Sequence, residues 1–384
     1  MKSDPNPLPL KGIRVLEIGQ ALAAPLAGVI LADMGADVIK IEKPQGGDDA
    51  RHWGPPFAPD GKTSLYFHAQ NRNKRSISLD LKTSEDLRIF HKLCESADVL
   101  IQNLRPGAVE RLGIDAETMC QRYPRLVYGN ISSYGRKGPL RQEWGYDPLL
   151  QAYGGIMSMT GRPEEEPNFC GASINDKATG LFCVIGVLGI LQRRHGTGRG
   201  GIVDTSLFES AVHWVEGPLN TQLATGQIPT RSGNTGGVIV PYQVFHASDL
   251  PLVIAAGNDR FFIALAGALG HPEWAQDARF NTMAQRVVHR EVLVTAIEAV
   301  VATRTRDDWL NIIRAAGVPC APLNSIGELA ATEQLQAVEI IQEIPDIGIK
   351  LVGLPIEFDR VRPRSAQRAP RPGEHTEEIL RELG

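Results

Sequence analysis

The chain has 384 residues, 42% of them hydrophobic and 22% charged, with a formal net charge of −4 at pH 7. That length exceeds one compact core and predicts a large and a smaller domain. The weak negative charge excludes a general attraction for nucleic acid or for an anionic membrane surface.

The N-terminal MKSDPNPLPLKG holds no apolar signal core. Ile13–Ile18 is a short β-like run, residues 23–34 have helical composition, and Ala36–Glu42 is a second strand. This compact β-α-β spacing predicts parallel strands and a Rossmann-like sheet. The turn after the first strand reads Gly19-Gln20-Ala21-Leu22-Ala23, not GxGxxG, which argues against a nicotinamide or flavin dinucleotide. A helix at 84–96, strands at 97–101 and 126–131, and a Gly/Pro-rich loop to 148 continue the pattern. A long helix over about 177–194 stops at Gly196, and Ile202–Leu207 is a further strand. Beyond residue 225, a loop at Ser232–Gly237, a strand at 252–256 and helices to about 317 predict a separate α+β domain. The C-terminus ends in a short charged helix. Ala178–Leu191 is uncharged but shorter than the roughly 20 residues that span a bilayer, so it reads as a buried helix and no membrane partner is expected.

No metal site is expected, because the nine histidines form no HxxxH pair or His/Cys cluster. GxxxxGK[ST] and GxSxG are both missing, so phosphoryl transfer and serine hydrolysis lose their usual signals. Five scattered cysteines (Cys94, Cys120, Cys170, Cys183, Cys320) without a CxxC pair argue for a reducing, cytoplasmic setting. Cys183 lies within the apolar helix, where burial makes a thiol a packing group.

Asp176 opens that helix. Locally it reads as an N-cap that accepts first-turn amides, and equally as a carboxylate able to attack an activated acyl group. The helix terminus favours its charge by roughly 0.3–1 kcal/mol while burial opposes it, and the sum predicts a mostly ionised group at pH 7. Local sequence does not choose between the two roles.

Taken whole, from Leu10 to Gly384, the chain resembles the family III CoA-transferases. The likeness is carried by PLAGVILADMGADVIKIEKPQGGDDAR (25–51), NRNKRSISLDLK (71–82), ADVLIQNLRPGAVERLGI (97–114) and GYDPLLQAYGGIMSMTG (145–161). NDKATGLFCVIGVLGILQRRHGTGRGGIVDTSLFESA (175–211) and PRPGEHTEEILRELG (370–384) complete it. The resemblance implies an α/β fold: a Rossmann-like large domain built from both chain ends, a smaller α+β domain, and an interlocked, ring-like homodimer. The expected domains are 1–224 for the large CoA-binding domain and 225–330 for the small one with the glycine loop at its start. Residues 331–384 then return to the large domain.

It also implies a CoA-transferase that moves CoA from an acyl-CoA donor to a carboxylic acid acceptor, with Asp176 as nucleophile and an aspartyl mixed anhydride as intermediate. Coenzyme A and acyl-CoA enter as substrates, and no permanently bound cofactor is expected. By the same resemblance Gln20, Leu22 and Ala23 approach the thioester and pantetheine end. Lys43, Leu79 and Lys82 lie toward the nucleotide, and Asn103, Leu104, Arg105 and Arg111 surround the adenosine and phosphates. Leu22 stands where formyl-CoA transferase has a glutamine, and Lys43 replaces an arginine. Tyr146 and Asp147 line the thioester pocket, Gly236 and Gly237 belong to the loop that covers the nucleophile, and Arg231 is a candidate for a dicarboxylate acceptor. Two alternatives remain: a 2-methylacyl-CoA racemase of the same fold and a non-catalytic CoA-binding protein. Racemases carry histidine in the GYD motif, whereas Tyr146, with an ordinary pKa of about 10, is a poor base at pH 7.

Overall fold

Runs of side chains that alternate between two apolar faces build the central sheet. In the computed structural model, which describes residues 8–344, 346–364 and 367–384, six strands lie parallel. They are β1 (Arg14–Ile18), β2 (Asp37–Glu42), β3 (Arg75–Ser78), β4 (Val99–Gln102), β5 (Val127–Ser132) and β6 (Gly201–Ser206). Their order is β3-β2-β1-β4-β5-β6, with Val15 opposite Val38 and Val99, and Leu16 opposite Ile39 and Leu100. Val15, Val38, Val99 and Val127 enter one core, whereas Leu16, Ile39, Leu100 and Tyr128 enter the other. A parallel sheet covered on both faces needs this two-sided apolar pattern.

The first core is closed by helix α1 (Ala23–Asp33) and by the long helix Ile174–Thr197, through Cys183, Val184, Val187 and Leu191. The long helix starts three residues before the position expected from sequence and runs to Thr197, where Gly198 caps it with φ 69°. By length and composition it could cross a membrane, but the Val187 side of the helix lies in the core against the sheet. The second core takes Phe90, Leu93, Met119 and, from the C-terminal helix Thr376–Glu382, Ile379.

The chain divides into two units. Met1–Ile156, Phe169–Gln227 and Gln334–Gly384 form the first, and Met157–Asn168 and Ile228–Glu333 form the second. The second has its own core around Phe245, Ile254, Phe262 and Trp309. Strands β7 (Tyr242–His246), β8 (Pro251–Ala255) and β9 (Cys320–Pro322) form its antiparallel sheet. Residues 157–168 fall within the stretch expected to be the large domain, yet they group with the second unit. Arg231 shows why: its guanidinium donates to the carbonyls of Arg162, Pro163 and Glu165 at 3.0–3.1 Å. That engagement gives Arg231 a structural task within its own unit.

Candidate active site

Strand order reverses between β1 and β4, and open α/β sheets bind ligands beyond the carboxyl ends of the strands at such a point. The turns leaving these strands are stitched together here. Gln20 N–H donates to Asn103 Oδ1 and Asn103 Nδ2 donates back to Gln20 O, both at 2.9 Å. Two cavities flank this stitch. The larger, about 530 Å³, is lined by Gln20, Leu22, Ala23, Asn103, Arg105, Tyr146, Asp147 and Asp176, among others. The smaller, about 180 Å³, is lined by Lys43, Leu79 and Lys82, and Gln20 and Leu104 border both. Most residues singled out from sequence in the first unit therefore converge on one connected region. Arg111 lines neither cavity. Gly236 and Gly237 belong to the second unit, where the Arg290 guanidinium holds both their carbonyls. Lys43 pairs with Asp49 at 2.9 Å, and the Arg105 guanidinium lies 3.5 Å from the centre of the Trp144 ring.

Asp176 is not the cap of its helix. It occupies the third helical position, and Ser173 precedes the helix without a side-chain capping bond. The cap comes from elsewhere: Asp147 Oδ1 accepts the N–H groups of Asn175 at 2.7 Å and Asp176 at 3.1 Å. Asp147 Oδ2 accepts from Gln151 Nε2 at 2.5 Å, and Gln151 also exchanges two bonds with the Cys170 backbone. A carboxylate on first-turn amides is the arrangement that helix termini favour.

With its amides claimed by Asp147, the Asp176 carboxyl has neither a hydrogen bond nor an ion pair among the described residues, and it faces the larger cavity. Burial, reinforced by the negative charge of Asp147, pushes its pKa up to about 7. The expectation of a mostly ionised Asp176 is corrected accordingly: it is about half protonated at neutral pH. Local reasoning missed both the second carboxylate beside it and the diversion of the helix-terminal amides.

Sequence reading also passed over Trp53 and Tyr66, which line the same cavity with ring centres 5.5 Å apart. Burial first, then the charges of Asp176 and Asp147, raise the Tyr66 phenol above its ordinary pKa, so it stays a neutral donor. Ser64 caps the helix Leu65–Asn71 that carries Tyr66; that serine was the signal in the sequence. Cys183, by contrast, is fully buried, and burial pushes its thiol up to about 12, consistent with a packing role.

A doubly wound parallel sheet with clefts at its switch point is the arrangement in which α/β proteins bind ligands. Comparison with known proteins makes this specific: the chain belongs to CoA-transferase family III, whose model matches residues 10–376. It is 38% identical over 351 residues to the acetyl-CoA:oxalate CoA-transferase of Acetobacter aceti, covering 91% of this chain and 89% of that one. Identity to the succinate–glutarate CoA-transferase of Agrobacterium fabrum is 37%, over 98% and 96% of the two chains. A CAIB/BAIF family protein from Brucella suis has a similar structure, with a TM-score of 0.88 and 38% identity over 99% of this chain and all of that one. The chain is thus an enzyme of family III, and the racemase reading is not favoured.

Proposed function

We propose that this enzyme transfers CoA from an acyl-CoA to a short dicarboxylic acid, with Asp176 as the covalent nucleophile. The observation that carries the reading is the Asp176 carboxyl at the cavity wall, unpartnered among the described residues while Asp147 caps its helix. In the first step an Asp176 oxygen attacks the thioester carbonyl, the C–S bond breaks, and CoA departs as thiolate. The product is an acyl–aspartyl anhydride. The acceptor carboxylate then replaces the first acid on Asp176, and the CoA thiolate attacks its acyl carbon, which restores the aspartate. Splitting carboxylate exchange into such steps keeps the thioester's energy, provided water is excluded.

The smaller cavity suits the nucleotide end of CoA, with Leu79 as an apolar wall and Lys43 and Lys82 as cations for phosphate. Gln20, Leu22, Ala23, Asn103, Leu104 and Arg105 lead from there to the thioester end, where Tyr146 and Asp147 lie. Gly236 and Gly237 are assigned to the loop that shields the anhydride, on the strength of the resemblance. Dicarboxylic acids are favoured because relatives are named for oxalate, glutarate, mesaconate and citramalate.

The working form is proposed to be a cytoplasmic homodimer. Leu181, Phe182 and Ile185 on the long helix are exposed, as are Trp214 and Leu223 in the helices that follow. An apolar patch of this kind marks an association surface, and a monomer by sedimentation at assay concentration would remove the assignment. The five free cysteines accord with a reducing compartment. The chemistry is tested by adding hydroxylamine during turnover with succinyl-CoA and a panel of dicarboxylic acids, followed by peptide mass spectrometry. The expected label is a hydroxamate on Asp176; a label on another side chain instead would refute the nucleophile.

A further inference from the structure

Of the residues that line the larger cavity, Ala21 is the one non-glycine with a positive φ, at 63°. An alanine is sterically disfavoured there, so surrounding contacts must impose the conformation. They are visible. Ala21 N–H donates to Asp48 Oδ1 at 3.1 Å, and the same oxygen accepts Ala50 N–H at 3.0 Å. The second Asp48 oxygen lies 3.0 Å from Lys40 Nζ, out of line for a hydrogen bond. Lys40 Nζ donates to Gly19 O at 2.7 Å and to Glu17 Oε1 at 2.8 Å. One buried ion pair thus grips the turn twice, with Asp48 on the Ala21 amide and Lys40 on the Gly19 carbonyl. Asp48 is 1% exposed and Lys40 fully buried. Burial opposes the Lys40 charge, but Glu17, Asp48 and Glu42 outweigh it and hold the lysine above its ordinary pKa. On the outer side of the turn, Gln20 is fastened to Asn103.

We propose that Asp48, acting with Lys40, is a positioning residue that holds the 19–22 turn in the one shape able to receive the acyl-CoA thioester. The proposal rests on the acyl-transfer reading above. Asp48 does not act on the reacting atoms; it acts through the backbone of Ala21, and its loss should appear as poorer use of acyl-CoA in a folded enzyme.

The test compares Asp48→Ala, Asp48→Asn and the double variant Asp48→Ala with Ala21→Gly. Asp48→Ala is expected to lower kcat/KM for acyl-CoA at least tenfold. Asp48→Asn keeps an oxygen for the two amides and should stay within about threefold of the unmodified enzyme. Glycine adopts the left-handed conformation freely, so Ala21→Gly should return at least threefold to the Asp48→Ala enzyme. Unchanged kinetics in Asp48→Ala, or equal losses in all three variants, would overturn the positioning role. Should Asp48→Ala not fold, hydrogen exchange at the Ala21 amide of the unmodified protein decides: protection supports the clamp and exchange at the rate of an open amide refutes it. Hydroxylamine trapping runs alongside on the unmodified enzyme. An unlabelled Asp176 there defeats the acyl-transfer reading, whereas a labelled Asp176 with indifferent Asp48 variants defeats only the proposal made here.

Discussion

Asp176→Asn is expected to abolish CoA transfer and, at pH 8, to make the protein more stable. On the proposed mechanism the amide cannot form an anhydride, so turnover should fall by at least roughly 10⁴-fold. The stability gain follows from the raised pKa of about 7 against an ordinary value of 3.8. The folded state holds this proton more tightly than the unfolded chain, so native stability declines as pH climbs from about 4 to about 7 and stays reduced above that. Asparagine carries no such charge, and the variant should gain about 2–4 kcal/mol at pH 8, shrinking toward zero at pH 4. Thermal melting at the two pH values reads this directly. A variant less stable than its parent at pH 8 would show that the Asp176 charge is not strained by burial and by Asp147. If Asp176 is the nucleophile as proposed, the same proton governs activity, and acyl transfer should decline below pH 7 as it protonates. Asp147→Asn, which keeps an oxygen on the capping amides but removes the repelling charge, should move that limb to lower pH.

Glu17→Gln is expected to produce the largest loss of stability in the first unit. Glu17 is fully buried between two fully buried lysines, with Oε1 2.8 Å from Lys40 Nζ and Oε2 2.7 Å from Lys74 Nζ. The fold makes room for it, since a Cβ placed on Gly28 would come within 1.8 Å of Oε2. Removing this shared counter-charge leaves two ammonium groups out of water, Lys40 with Asp48 at 3.0 Å and Lys74 without its ion-pair partner. Breaking a buried pair in this way costs about 3–5 kcal/mol, to be read as a lower denaturant midpoint. Lys74 supplies a further signature, because burial, only partly offset by Glu17, already brings its pKa down to about 8. Without Glu17 it falls further. Above that value the native lysine is neutral while the unfolded one still binds a proton, so the deficit should shrink from pH 6 to pH 9. A pH-independent deficit, or an unchanged midpoint, would assign the cluster's stability to other contacts.

Strands β1, β2, β4, β5 and β6 were legible because each holds neighbouring apolar residues that face opposite cores, as Val15 and Leu16 do in β1 and Val203 and Ile202 in β6. β3 was not, since Arg75–Ser78 offers a single strongly apolar residue, Ile77, and is made a strand by pairing with β2. The position of Asp176 came from resemblance across the chain, and its cavity accords with that reading. Its environment could not come from local spacing, because the residue that caps its helix, and adds to the effect of burial on its pKa, lies 29 positions upstream. Trp53 and Tyr66 escaped notice for a related reason: they stand at the two ends of an irregular stretch, 53–64, that gives no periodic signal to place either ring at the cavity.

The cap supplied by Asp147 has a consequence for engineering. Transplanting residues 174–197 into another scaffold would carry the acidic side chain but leave behind the carboxylate that occupies its first-turn amides and adds to the rise in its pKa. A graft that keeps the Asp176 environment needs the start of the helix Asp147–Tyr153 as well, and a designer could tune the pKa of Asp176 from there without touching Asp176 itself.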